Sequence, residues 1–132
     1  MFISVVLHNS TRGYDRFYDY KVPKDLESFV IPGIRVLVPF GKGIRLREAF
    51  VMEVKAESSI KGIKEICQVI DESPVLIPEL LQLCMFMKKR YICTYDLAIR
   101  CMLPTGLDLL HRNEVLLNDE ISYNAPVNEQ EI

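Results

Sequence analysis

The chain has 132 residues, enough for one domain, or for one small domain and a tail. Hydrophobic residues make up 49% of it, which supports a packed core, yet no run approaches the roughly 18 to 20 consecutive apolar residues that span a bilayer. The net charge of −2 hides an asymmetry, +4 over residues 1–64 and −6 over residues 65–132, and a basic N-terminal half suits a polyanionic partner. The opening run Met1–His8 is apolar but has no basic leader and no small-residue cleavage site. It reads as the first strand of a cytoplasmic protein and not as a signal peptide.

Four short runs rich in Val, Ile, Phe and Tyr follow one another: Phe2–Leu7, Phe17–Val22, Ile34–Val38 and Phe50–Val54. Gly, Pro, Asp or charged residues separate them, as expected of strands joined by turns. Pro32-Gly33 supplies one turn, and Gly41 and Gly43 frame a second loop, Phe40–Arg47, which carries Lys42, Arg45 and Arg47. Ile63–Ile70 adds a further candidate strand. Four or five strands at this spacing suggest a small barrel or sandwich.

The period then changes. Ser73-Pro74 breaks the strand pattern, and Pro78 opens a helix at a position where its missing N–H costs nothing. That helix runs from Glu79 to Tyr91, with Lys88, Lys89 and Arg90 at the negative end of its dipole. Thr94 is suited to cap a second helix, Tyr95–Met102, which Leu103-Pro104 and Gly106 end. Both helices are expected to cover one end of the barrel. Residues 107–132 hold six acids and one base, a composition that reads as a linker or the start of another domain.

Little here points to chemistry. Cys67, Cys84, Cys93 and Cys101 match no paired C-x-x-C spacing and are expected to be buried free thiols, with no metal site. Gly41-Lys42-Gly43 lacks the spacing and the following helix of a phosphate-binding loop, and there is no G-x-S-x-G elbow. His8 on a strand reads as structural. The remaining signal is Phe17-Tyr18-Asp19-Tyr20-Lys21, where alternation puts Tyr18 and Tyr20 on one face of a strand and Phe17, Asp19 and Lys21 on the other. Two readings stay open on these residues alone. The tyrosines are ordinary half-buried strand residues, or they offer rings on which nucleic-acid bases stack, with Asp19 accepting from base amines or a sugar hydroxyl.

Read in order, Tyr18-Asp19-Tyr20 shortly before Pro23, the string Gly33-Ile34-Arg35-Val36-Leu37-Val38-Pro39-Phe40-Gly41-Lys42, then Arg47, Phe50–Val54, Ile63-Lys64, Val69-Ile70-Asp71, Pro74, Tyr91 and Leu103-Pro104 form one pattern. Over roughly residues 3 to 106 it resembles the N-terminal domain of the primosomal protein N′ (PriA) family of bacterial replication-restart helicases. The resemblance implies an α+β fold, a small OB-like β-barrel followed by two short helices and a partly ordered C-terminal tail. It implies a 3′ DNA-end-binding domain over 1–106, barrel about 1–72 and helical part about 73–106. Residues 107–132 would then be a linker and the truncated start of a winged-helix domain.

By the same resemblance, Tyr18, Asp19, Tyr20, Gly41 and Lys64 would hold the 3′-terminal nucleotide of a nascent strand at a stalled fork. Asp19 would contact the end base, and Lys64 would help hold the terminus. Lys42, Arg45 and Arg47 are added on physical grounds as phosphate contacts, against the plainer reading of a solvated charged loop. Phe17 is assigned to packing. Expected partners are DNA with 3′ ends and forked DNA and, through the full-length protein, other primosome proteins and single-strand-binding protein. No membrane partner is expected. The family's ATP-dependent 3′-5′ helicase activity, with its ATP, Mg and Zn, belongs to segments absent from this sequence, so neither catalysis nor a cofactor is expected here. Ala49 stands where the family usually has glycine, which leaves local twist open to change. The competing reading is a protein–protein interaction domain of a replication assembly.

Overall fold

A computed structural model describes residues 1–42 and 45–107 of the chain. Five strands form its sheet: β1 (Phe2–Leu7), β2 (Tyr18–Lys21), β3 (Arg35–Pro39), β4 (Leu46–Lys55) and β5 (Gln68–Val69). Every neighbouring pair is antiparallel, in the order β2-β1-β4-β3-β5. Two helices follow, α1 (Pro78–Arg90) and α2 (Tyr95–Met102). The architecture is α+β with an OB-like sheet. Its ladder is not closed. The two edges nevertheless meet where Lys21 makes a parallel bridge to Glu65, through Lys21 N–H to the Lys64 carbonyl (2.9 Å) and Ile66 N–H to the Lys21 carbonyl (3.0 Å).

Strand alternation separates two cores. Ile3, Val5 and Leu7 of β1, Val36 and Val38 of β3, and Ala49 and Val51 of β4 point into the curled sheet with Tyr20 and Ile66. Val6 and Phe50 point the other way, onto Leu76, Cys84, Ala98 and Ile99 of the helical half. The helices therefore cover one outer face of the sheet and leave the mouth beside β2 open. Phe17 packs in this second core against Tyr95, ring centroids 5.1 Å apart, as expected of a packing residue.

Several expectations shift. The candidate strand Ile63–Ile70 shrinks to Gln68–Val69, because its first half is the bridging segment between the sheet edges. The loop expected to reach Arg47 ends sooner, since β4 starts at Leu46 and pairs with β3 down to Pro39. Pro78 opens α1, and the Thr94 hydroxyl accepts from Leu97 N–H at 3.2 Å as the cap of α2. All four cysteines are free, but only Cys84 is buried; Cys93 is half-buried, and Cys67 and Cys101 are exposed. Ala49 is fully buried in a regular stretch, opposite Leu7 and Val36, and the register shift falls instead between Ser4 and Val5. The linker and winged-helix start assigned to 107–132, apart from Leu107, lies outside the described residues, as do Gly43 and His111.

Arg35 joins the two halves. Its guanidinium makes a two-point contact with Asp71 (2.9 and 2.6 Å), a bond to Glu48 (2.9 Å) and a bond to the Leu107 carbonyl. Gly33 sits beside it with φ +91°, and a Cβ there would lie 1.8 Å from the Leu76 carbonyl oxygen, so only glycine fits.

Candidate functional site

Three segments distant in sequence surround a pocket of about 450 Å³: residues 16–20, the Pro39-Phe40-Gly41 turn, and Ile60 with Gly62, Ile63 and Lys64. Each reaches it for a local reason. β2 is an edge strand whose free side is bridged at Lys21 by the 64–66 segment, which leaves the stretch before Lys21 to line the pocket. The Pro39–Gly41 turn leaves β3 with Gly41 at φ +77°, the left-handed region that glycine enters without strain. No atom lies within 4 Å of where a Gly41 Cβ would stand.

The walls are tied to each other. The Tyr20 hydroxyl donates to the Pro39 carbonyl at 2.8 Å, and burial pushes the Tyr20 pKa up to about 12, so the hydroxyl stays a donor. Lys64 donates from Nζ to the Gly41 carbonyl at 2.9 Å, closing one side while its remaining N–H groups face solvent. Tyr18 is half-buried, and its ring meets the edge of Phe40 at 5.2 Å. Phe40 in turn meets Tyr14 at 5.5 Å. The Arg16 guanidinium lies 5.1 Å from the Tyr18 ring centroid, and its Nε donates to the Tyr18 hydroxyl at 3.2 Å.

Asp19 presents two different surfaces. Its side chain lies on the face opposite Tyr18 and Tyr20, where it stands across from Ser4 on β1. The carboxylate accepts from Ser4 Oγ (2.7 Å), Ser58 Oγ (2.8 Å) and Lys55 Nζ (3.4 Å). Burial alone would raise its pKa; the two hydroxyl donors and the Lys55 charge outweigh it and hold the carboxyl below its ordinary value. The main chain faces elsewhere. Lys21 spends both backbone groups on the 64–66 segment, away from β1. In an antiparallel ladder that orientation recurs every second residue, so Asp19 turns its N–H and C=O to the same side, along the pocket rim.

The structure thus brings Tyr18, Asp19, Tyr20, Gly41 and Lys64 around one pocket and leaves Lys42, Arg45 and Arg47 off its wall. Lys42 and Arg45 are exposed on the adjoining loop. Arg47 donates from Nη2 to the His8 and Asn9 carbonyls (3.0 and 3.3 Å) and stands 5.9 Å from the Phe40 ring centroid. Sequence reasoning missed Arg16, Phe40 and the Ile60–Ile63 wall. Phe40 was visible as the residue beside Gly41, but nothing local marked its ring as part of the site.

A family model described as a 3′ DNA-binding domain (3′BD) of PriA matches residues 4–104. The chain belongs to this family. It is 34% identical over 116 residues to the "Replication restart protein PriA" of Bacillus subtilis (strain 168), which covers 86% of this chain and 14% of that protein. It is 26% identical over 115 residues to the protein of the same name from Chlamydia trachomatis serovar D, covering 84% of this chain and 15% of that one. The chain therefore spans about one seventh of the length of these curated relatives. Among the described residues no group of three His, Cys, Asp or Glu could hold a metal ion, and no helix is long and apolar enough to cross a membrane.

Proposed function

We propose that this domain binds the 3′ end of a DNA strand and places the terminal nucleotide among Tyr18, Asp19, Tyr20, Gly41 and Lys64. The convergence of these five residues on one pocket carries the reading, and family membership supports it. The terminal base stacks on the open part of Tyr18, held from the other side by Arg16. Its edge meets the N–H and C=O of Asp19. One donor beside one acceptor matches an edge of every base, so end recognition is only weakly base-selective. Lys64 faces the sugar–phosphate, and the open space at Gly41 admits the ribose. Lys42 and Arg45 supply long-range attraction to the phosphates.

In this reading the domain carries no chemistry itself. It guides a longer replication-restart helicase, which uses ATP, Mg and Zn elsewhere in its chain, to nascent strands at stalled forks in the bacterial cytoplasm. Contacts with other primosome proteins and single-strand-binding protein belong to that longer protein. The test is titration of otherwise identical oligonucleotides ending in a 3′-hydroxyl or a 3′-phosphate. The free end binds several-fold more tightly; equal affinity for both sinks end recognition.

A second reading, a protein-interaction domain of a replication assembly, draws on α1. Phe86 and the neighbouring Tyr91 and Ile92 are exposed at 57, 57 and 97%. It is favoured if the chain ignores DNA at low salt.

A further inference from the structure

A second pocket, of about 380 Å³, opens between the end of β1 and the end of α2, lined by His8, Asn9, Arg100, Leu103, Pro104 and Thr105 among others. One side chain connects it to the first. The Arg47 guanidinium stands 5.9 Å from the ring centroid of Phe40, a wall residue of the first pocket, and bonds the His8 and Asn9 carbonyls on the edge of the second. A line of contacts therefore leads from Tyr18 to Phe40, which also meets Tyr14, and on to Arg47 and the edge of the Arg100 pocket, marking a path between the two pockets.

Its charge suits a phosphate chain. Among the described residues, Arg100 lines the second pocket and Arg47 stands at its edge on the His8 and Asn9 carbonyls. Among the described residues, the acid beside Arg100 is Asp96, ion-paired with Arg100 (Nε 3.1 Å away) and hydrogen-bonded with His8 Nδ1 at 2.8 Å. The Asp96 side chain is only 4% exposed, whereas that of Arg100 is 48% exposed. The negative charge is thus covered and the positive one presented. Arg100 pairs with Asp96 on its Nε side, and its half-exposed fork presents the N–H groups at its tip to an anion.

We propose that this path is a second subsite for single-stranded DNA, holding the phosphates of nucleotides that precede the 3′ end, with Arg47 and Arg100 as the phosphate contacts and Tyr14 as an added stacking ring. It rests on the end-binding reading only for the direction in which the strand leaves the first pocket. OB folds commonly engage about 4 to 16 nucleotides, so a footprint longer than one nucleotide fits a barrel of this kind.

The test is fluorescence anisotropy at low salt with 5′-labelled thymidine di- and octanucleotides, each with a free 3′-hydroxyl. For the unaltered chain the octanucleotide binds about tenfold more tightly than the dinucleotide, the gain coming from added phosphate contacts. Arg100→Gln removes most of that gain, lowers the salt slope for the octanucleotide by about 0.7 and leaves dinucleotide affinity unchanged. Asn9 has φ +55°, which aspartate tolerates, so Asn9→Asp adds a negative charge without new strain and acts in the same direction. Thermal melting of both variants separates lost binding from lost folding. The proposal is overturned if the unaltered chain shows no length gain, if both variants retain it, or if Arg100→Gln weakens the two oligonucleotides equally. Failure of end recognition shows separately, as equal binding of dinucleotides with free and phosphorylated 3′ ends.

Discussion

Replacing Asp19 separates two ways in which this residue could serve the pocket. Its carboxylate accepts from a fully buried Ser4 hydroxyl at 2.7 Å, and such a charge-assisted bond contributes about 1.5–3 kcal/mol. The Ser58 bond ties down the loop that carries Ile60 and Ile63, and the long, partly exposed contact with Lys55 adds under about 1 kcal/mol. Asp19→Ala leaves the Ser4 hydroxyl buried without its acceptor, so a loss of about 2–4 kcal/mol is expected. For a domain of this size that lowers Tm by roughly 8–20 °C. Ser4→Ala in the Asp19→Ala background costs little more, because the orphaned hydroxyl goes with it, and a double-mutant cycle shows coupling of about 1–2 kcal/mol.

The pH dependence has a definite sign. The folded carboxyl titrates below the ordinary value of 3.8, so its stabilisation is present above about pH 4 and is lost as the pH falls through the folded pKa. Asp19→Asn abolishes that part of the acid sensitivity. With the base edge on the main chain at position 19, as proposed, Asp19→Asn is expected to retain end preference to within about threefold at temperatures where it is folded, well short of a binding hot spot. The decisive assays are thermal denaturation and titration with 3′-hydroxyl and 3′-phosphate oligonucleotides. The reasoning is refuted if Asp19→Asn melts like the unaltered chain yet loses all preference for the free end.

On the proposed stacking, Tyr18→Ala weakens binding of a free 3′ end by about 1–3 kcal/mol in oligonucleotide titrations; it also lowers Tm, because the half-buried ring packs on the inner core and Phe40, so binding is compared below the variant's melting range. Gly33→Ala and Gly41→Ala give opposite phenotypes. The first forces a Cβ to 1.8 Å from the Leu76 carbonyl and is expected to cost more than about 4 kcal/mol, read by denaturant unfolding. The second meets no atom, costs about 1–2 kcal/mol from its φ of +77° and mainly lowers end affinity. Arg35→Gln, by leaving Asp71 and Glu48 without their cation, destabilises by about 3–5 kcal/mol without contacting the pocket. At the alkaline end, the Tyr20 hydroxyl contributes stability below pH 10 that fades as the pH rises towards its folded value of about 12; Tyr20→Phe removes this dependence, as pH-jump melting would show.

Much of the fold was legible because periodicity changes where the structure does. Strands alternate inward and outward residues as far as β4, and Pro78 and Thr94 mark the helix starts with backbone chemistry that local sequence encodes. The fate of Ile63–Ile70 was not legible. Whether that stretch pairs as a strand or bridges two edges depends on how far the sheet curls, a property of all five strands together. Exposure of Cys67 and Cys101 was hidden for a similar reason, since apolar neighbours in sequence do not say which face a residue takes.

The site shows the same division. Alternation in β2 placed Tyr18 and Tyr20 together and Asp19 opposite them, but only the Lys21 bridge shows that the main chain of Asp19 turns to the rim. The string from Gly33 to Lys42 is the most distinctive part of the sequence, yet its first half never reaches the pocket. Gly33 admits the Leu76 carbonyl, and Arg35 gathers Asp71, Glu48 and Leu107. Those contacts fix where β3 starts and how the helical half sits on the sheet. β3 then delivers Pro39 to the Tyr20 hydroxyl and Gly41 to Lys64 at its far end. A motif of this kind marks a binding domain because the joint and the pocket lie at opposite ends of one short strand, so a slip at Arg35 would move Gly41 with it.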